Sequence, residues 1–265
     1  MLSSLLARTC TYRSYVTCAI TRQVSPRLAD AVASTQSKEP ISLELARKQH
    51  DDYVLCLKRL LPAVKELPAS QEYPDCCFVE DTTVVLNDTA LMMNMGHESR
   101  RGEVNDMKEV LENLPGINRI VDMKNINVGA CCDGGDVLFT SRHLFVGLSE
   151  RTNQAGIQVL KEVFPKYEVI AVPVYGALHL KSLVTHMDRH TIVAPTGELG
   201  DALLREMKAA ERGYEVVRLP DVLACNVVAI NGTIIAQDCP DSKGVLQEAV
   251  GENNLVRLTS QNANA

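Results

Sequence analysis

A chain of 265 residues with 46% hydrophobic and 23% charged residues has the size and composition of one soluble globular domain. No apolar run approaches the roughly 18–20 residues that a membrane span needs. A net charge of −6, only 4% aromatic residues and no tryptophan leave neither a basic footprint nor stacking rings, which argues against a nucleic-acid partner.

Residues 1–14 read as a flexible leader. The opening MLSSLLARTCTYRSYV contains Arg8, Arg13, several hydroxyl residues and no acid, and the first acidic residue is Asp30. Such an Arg- and Ser-rich, acid-poor start resembles an organelle presequence, so a mitochondrial location stands as the alternative to a cytoplasmic one. Nine cysteines with no CxxC spacing point to neither a disulfide framework nor a zinc site. Free thiols in a reducing compartment, mostly buried as small apolar groups, fit better.

Past the leader, one pattern repeats. Residues 15–21 read as a strand; a helix follows with Ala46, His50, Tyr53, Leu57 and Leu60 on one face, then a strand at 64–67. Residues 75–79 and 82–86 begin a strand-rich stretch, and Asn87-Asp88 offers turn chemistry before 89–93. Val104, Met107, Val110, Leu111 and Leu114 have helical spacing, and 119–122 is a short strand. The order returns three times. Strands at 136–139 and 143–146 precede a helix near 153–164 and a strand at 169–172. Strands at 179–185 and 191–194 precede a helix near 198–210 and a strand at 214–219. Strands at 224–230 and 233–236 flank Asn231-Gly232, a tight-turn dipeptide, before a helix near 245–250 and a strand at 255–258. A repeat of roughly 40–60 residues suggests a ring of similar units, although an ordinary mixed α/β sandwich could carry the same elements. The first unit is one strand short. A ring over residues 15–265, a single domain, closes if a C-terminal strand fills that place, and the sequence stops at Ala265 before any such strand.

Chemistry concentrates at a few points. Asp75, Glu80 and Asp81 set three carboxylates around an apolar segment, either as solvated acids at a strand end or as a pocket for a planar cation such as a guanidinium. Asp133-Gly134-Gly135-Asp136 precedes a strand, and paired glycines permit close backbone approach. His179 opens another repeat, in the position of a general acid–base. His50, on the apolar face of the first helix, reads as a core or edge histidine. Arg100 and Arg151 are surface ion-pair formers or bidentate binders of a substrate carboxylate. No Walker A loop, dinucleotide fingerprint or HExxH motif is present, so no cofactor or metal is indicated.

Phe-Val-Glu-Asp at 78–81, Ser-Arg-Arg at 99–101, Asp-Gly-Gly-Asp-Val at 133–137, Gly-Leu-Ser-x-Arg-Thr-Asn-Gln at 147–154 and Leu-His-Leu-Lys-Ser at 178–182 resemble dimethylarginine dimethylaminohydrolase in order and spacing. The likeness runs from about residue 15 to 258. It implies an α/β fold, a five-bladed α/β-propeller of ββαβ units with the site at its centre. It implies hydrolysis of asymmetric dimethylarginine and monomethylarginine to citrulline and a methylamine, which relieves inhibition of nitric oxide synthase. By motif position, Asp75, Glu80 and Asp81 grip the guanidinium, Arg100 and Arg151 bind the amino-acid end, His179 is the acid–base and Asp133 orients it. The family's nucleophile is a cysteine on a C-terminal strand after a Leu-Leu-Thr-Cys type segment. Residues 254–265 end about a dozen residues before that motif, and neither Cys225 nor Cys239 matches it. An enzyme without its nucleophile and a non-catalytic methylarginine binder both remain open. The related arginine deiminases and amidinotransferases fit the Arg-Thr-Asn-Gln and His-Leu-Lys-Ser motifs less well.

Overall fold

A computed structural model describes residues 15–32 and 41–258. The expected leader, residues 1–14, lies outside the described residues, as do 33–40 and 259–265. Five small sheets follow one another along the chain. In the first unit, β1 (Cys18–Arg22) and β2 (Ala63–Leu67) are parallel and joined through α1 (Leu43–Leu60). The Ser42 hydroxyl caps α1 by accepting from the Leu45 amide, and Lys58 and Arg59 complement its C-terminal end. Pro62 cannot continue the helix, so the chain turns directly into β2.

The other four units add one strand in front. They are β3 (Thr83–Leu86), β4 (Thr89–Met92), α2 (Glu103–Glu112) and β5 (Arg119–Asp122), followed by the short helix α3 (Met123–Ile126). Next come β6 (Val137–Phe139), β7 (His143–Leu148), α4 (Gln154–Val163) and β8 (Glu168–Pro173). Then follow β9 (Thr185–His186), β10 (Thr191–Pro195), α5 (Gly197–Glu206) and β11 (Glu215–Leu219). The last unit is β12 (Val228–Ile230), β13 (Thr233–Gln237), α6 (Lys243–Val250) and β14 (Leu255–Leu258). In each, the first two strands are antiparallel and the second and third are parallel across the helix. Hairpin turns explain the antiparallel pairs: Asn87, Asn231 and Gly232 take positive φ, the geometry two-residue hairpins require. Among the described residues the first unit has two strands where the others have three.

Apolar clusters link neighbours into a closed series. Leu91, Met92, Leu144 and Leu160 join the second and third units, with Ile20 and Leu67 of the first packed against them. Phe145, Leu180, Ile192 and Met207 join the third and fourth. Val193, Leu219, Ile234 and Leu246 join the fourth and fifth. Leu57 and Leu61 of α1 meet Ile230 and Ile235, which closes the fifth unit on the first. Val16 and the Asn231 side chain exchange two hydrogen bonds across the same seam, at 2.9 and 2.8 Å. The architecture is the expected five-unit α/β-propeller.

Three expected strands differ. Residues 75–79 form a turn leading into a 3₁₀ turn at Val79–Thr82; 179–182 and 224–225 likewise belong to 3₁₀ turns, at Leu180–Ser182 and Val222–Cys225. Their apolar residues look strand-like in sequence, but local bonds compete with a ladder. The Thr82 hydroxyl donates to the Val79 carbonyl at 2.7 Å, for example. No described helix is long and apolar enough to cross a membrane.

Candidate active site

The 3₁₀ turns build the site. One opens each of the second to fifth units, at Val79–Thr82, Gly134–Asp136, Leu180–Ser182 and Val222–Cys225, and successive turns pack side by side. Residues far apart in sequence are thereby gathered at one place: Glu80 and Asp81 from the first turn, Asp133 and Asp136 from the second, His179 from the third. The paired glycines make this approach possible. A Cβ on Gly135 would stand 2.6 Å from His179 Nδ1 and 2.7 Å from Asp81 Oδ1, and one on Gly134 would strike the Glu80 carbonyl. Gly147 is equally confined, against Asp136.

His179 is buried, with Nε2 3.1 Å from Asp133 Oδ2 and Nδ1 4.0 Å from Asp81 Oδ1. Burial alone would lower its pKa. The Asp133 hydrogen bond and the charges of Asp81, Asp136 and Asp133 outweigh burial and raise it above the ordinary histidine value. Asp133 is held in turn, since its Oδ1 accepts from the Gly96 amide at 2.8 Å. Asp136, fully buried, accepts from the Ser149 and Thr152 hydroxyls at 2.6 and 2.7 Å and from the Leu180 amide at 2.9 Å. Burial pushes its pKa up against those three bonds. Asp136 therefore anchors the turn that carries His179. DGGD was legible as a motif, but the anchoring role of Asp136 depends on donors 13, 16 and 44 residues away.

The remaining candidates divide. Asp75 is buried and its two oxygens accept from the Val32 amide at 3.2 and 3.1 Å. Asp81 accepts from the Gly135 amide at 2.9 Å and from Arg100 Nη1 at 2.7 Å. Glu80 is exposed and pairs with Lys181 Nζ at 2.6 Å. Arg151, 8% exposed, has no described residue hydrogen-bonded or ion-paired to its guanidinium, although its backbone packs on Gly96. Arg100, expected at the amino-acid end of a substrate, lies in an ion-pair network of the protein itself. It is 3% exposed, and its guanidinium is committed to Asp81, to both Glu103 oxygens and to the Phe78 carbonyl. Glu103, three residues along the chain, was the partner the sequence reading missed. An arginine followed by a glutamate at this spacing was the available signal.

Asp81, Asp133 and His179 offer ligand atoms within 4.8 Å of one another, close enough for a metal. Each is already engaged by a backbone amide, by Arg100 or by its neighbour. Burial raises the thiols of Cys56, Cys76, Cys132 and Cys239, and pushes those of Cys77 and Cys225 up to about 12. None of these six is poised as a thiolate. What the array can do is bind a planar cation among carboxylates and move a proton at His179.

Comparisons with known proteins follow the same line. The family described as N,N dimethylarginine dimethylhydrolase, eukaryotic, matches residues 25–235. A Streptomyces coelicolor N(G),N(G)-dimethylarginine dimethylaminohydrolase is 36% identical over 245 residues, 91% of this chain and 90% of the relative. The putative hydrolase DDAH2 of Bos taurus is 36% identical over 189 residues, 70% of this chain and 65% of the relative. Among solved structures, a Cys→Ser mutant of the Pseudomonas aeruginosa enzyme complexed with citrulline superposes with a TM-score of 0.80 at 21% identity, covering 92% of each chain. The N-terminal domain of ArgZ, a cyanobacterial arginine dihydrolase bound to substrate, gives 0.71 at 18% identity, over 91% of this chain and 90% of that one.

Proposed function

The chain belongs to the N,N-dimethylarginine dimethylhydrolase family, and on that premise we propose that its central site takes the guanidinium of an N-methylated arginine. The observation that carries this reading is the buried His179–Asp133 pair, set among Asp81 and Asp136 and raised in pKa by them. Asp75, Glu80 and Asp81 are assigned to the guanidinium, since each carboxylate keeps acceptor capacity beyond the bonds described above. Arg151, a nearly buried cation without a described partner, is assigned to the substrate carboxylate. Arg100 holds Asp81 in place rather than touching substrate.

Hydrolysis needs a thiolate beside His179. The thiolate adds to the guanidinium carbon, the C–N bond to the methylated nitrogen breaks, and His179 gives its proton to the departing amine. His179 then takes a proton from water, the water oxygen adds to the same carbon, and the S–C bond breaks to release citrulline and the thiolate. Asp133 keeps the imidazole oriented through both steps. The family's nucleophile, by resemblance, is a cysteine on a further strand, and neither Cys225 nor Cys239 matches its motif. Consumption of dimethylarginine would relieve inhibition of nitric oxide synthase. Free thiols at all eight described cysteines support a reducing compartment, cytoplasmic in the first reading.

The test combines binding and turnover on purified protein of residues 1–265. Calorimetry is expected to show asymmetric dimethylarginine binding, with little citrulline release. Appending a family-type C-terminal strand with its cysteine is expected to start turnover, and His179→Ala is expected to abolish it. A folded protein that does not bind dimethylarginine would overturn the site assignment. The six burial-raised thiols favour a second reading, a methylarginine binder without catalysis. Binding that persists while the folded, extended chain stays inactive would select it.

A further inference from the structure

Among the described residues one other group of metal-ligating side chains is assembled, and it shares no residue with the central site: His50, Asp51 and Glu66. His50 and Asp51 lie in the middle of α1 and Glu66 lies on β2. Both elements are fixed by the backbone. α1 packs on β2, and β2 is held in register with β1 by the pairs Thr21–Glu66 and Arg22–Leu67. The imidazole nitrogen and the two carboxylate oxygens lie within 4.8 Å of one another. That spacing lets small side-chain rotations bring all three onto one ion.

Two further features suit a ligand set better than an ordinary ion-pair cluster. The His50 ring is partly buried, which limits how far it can swing away from Glu66. The negative charge is also incompletely answered. Lys58 approaches Glu66 at 3.4 Å, while the guanidinium of nearby Arg22 is committed to Asp106 at 2.7 Å and to the Pro68 carbonyl at 2.9 Å. Among the described residues, Lys58 is the one cation ion-paired to either carboxylate, through Glu66.

We propose that His50, Asp51 and Glu66 form a surface site for a divalent transition metal of the zinc class, with the outward coordination positions left to water. One imidazole and two carboxylates form a borderline donor set suited to such ions, and three protein ligands leave a place open. Because Asp51 is exposed, the ion would enter from solvent without opening the fold.

The test uses the full chain and Zn²⁺ alone in a non-chelating buffer at neutral pH, read by equilibrium dialysis and thermal unfolding. Because Asp81, Asp133 and His179 form a second cluster, His179→Ala serves as the reference protein. The expected result is one zinc per chain retained in His179→Ala. Its affinity should fall by at least about tenfold in His50→Ala and Glu66→Gln, the scale at which even supporting contacts act. Zinc should raise the unfolding temperature of the reference but not of the same protein carrying His50→Ala. If His50→Ala does not fold, the exposed Asp51→Asn carries the same expectation. Zinc binding unchanged in these variants, absent altogether, or lost entirely in His179→Ala overturns the proposal.

Discussion

Arg100 and Arg151 are both nearly buried, yet only Arg100 has its charge answered within the described residues, by Asp81 at 2.7 Å and Glu103 at 2.9 Å. Removing one member of such a buried network leaves uncompensated charge, which costs about 3–5 kcal/mol. Arg100→Ala is therefore expected to lose stability on that scale in urea unfolding. Arg151→Ala should leave the unfolding midpoint near its original value and weaken dimethylarginine binding measured by calorimetry; the reverse pattern would exchange the two roles. His179 yields a prediction with a sign. Its pKa is raised on folding, so its contribution is fully present below the unfolded value of about 6.5 and is lost as pH rises through the folded value. The stability difference between the native protein and His179→Gln should shrink as pH rises from 6 upward. A difference that stayed flat or grew would contradict the Asp133 and Asp81 pairing. These residue types were legible, because carboxylates, a histidine and arginines in five ordered motifs specify guanidine chemistry. What Arg100 does was not legible, since Asp81 and Glu103 reach it only once a turn and a helix start are placed side by side.

The 3₁₀ turns at the head of the units are the working elements. Residues 179–182 and 224–225 read as strand beginnings in isolation. In the fold the backbone bonds locally and the functional side chains point together, because three adjacent turns abut. Gly135 lies directly against His179 and Asp81 in that packing. Gly135→Ala would force His179 and Asp81 apart, and overpacking of this kind costs about 1–3 kcal/mol. The expected outcome is a loss of dimethylarginine affinity of about fivefold to a hundredfold, since 1.4 kcal/mol corresponds to about tenfold. Unchanged affinity would show that the turns yield without disturbing the site. Cys225 lies in the fourth such turn, fully buried, with its thiol pushed up to about 12. Cys225→Ser should retain both binding and any citrulline formation; loss of turnover alone would make Cys225 a nucleophile after all.

Across the whole molecule, the seam between the fifth and first units decides whether the turns face one centre. Leu57 fills it, against Ile230 and Ile235. Leu57→Ala is expected to cost about 2–5 kcal/mol. Because the units form a closed series, the loss should appear in amide exchange of both α1 and β13, and weakened protection confined to α1 would argue against closure. Asn231, the hairpin residue bonded to Val16, was legible as a turn former from its dipeptide, but its part in the seam spans 215 residues.

By itself the amino-acid sequence determined the period of the repeat, the helices, the hairpin turns and the family, because these rest on local patterning and on short motifs. It also singled out the acids and the histidine that the fold gathers at one place. Only the tertiary structure decided how those groups divide. Arg100 was paired with Asp81 and Glu103, and Asp136 was bonded to Ser149, Thr152 and Leu180. Arg151 alone was left without a described partner, and His50 was set beside Glu66 at the edge of the first unit. The reason is physical: a side chain's role depends on the donors, acceptors and charges within a few ångströms. Here those arrive from other units of the ring, at sequence separations no local pattern records.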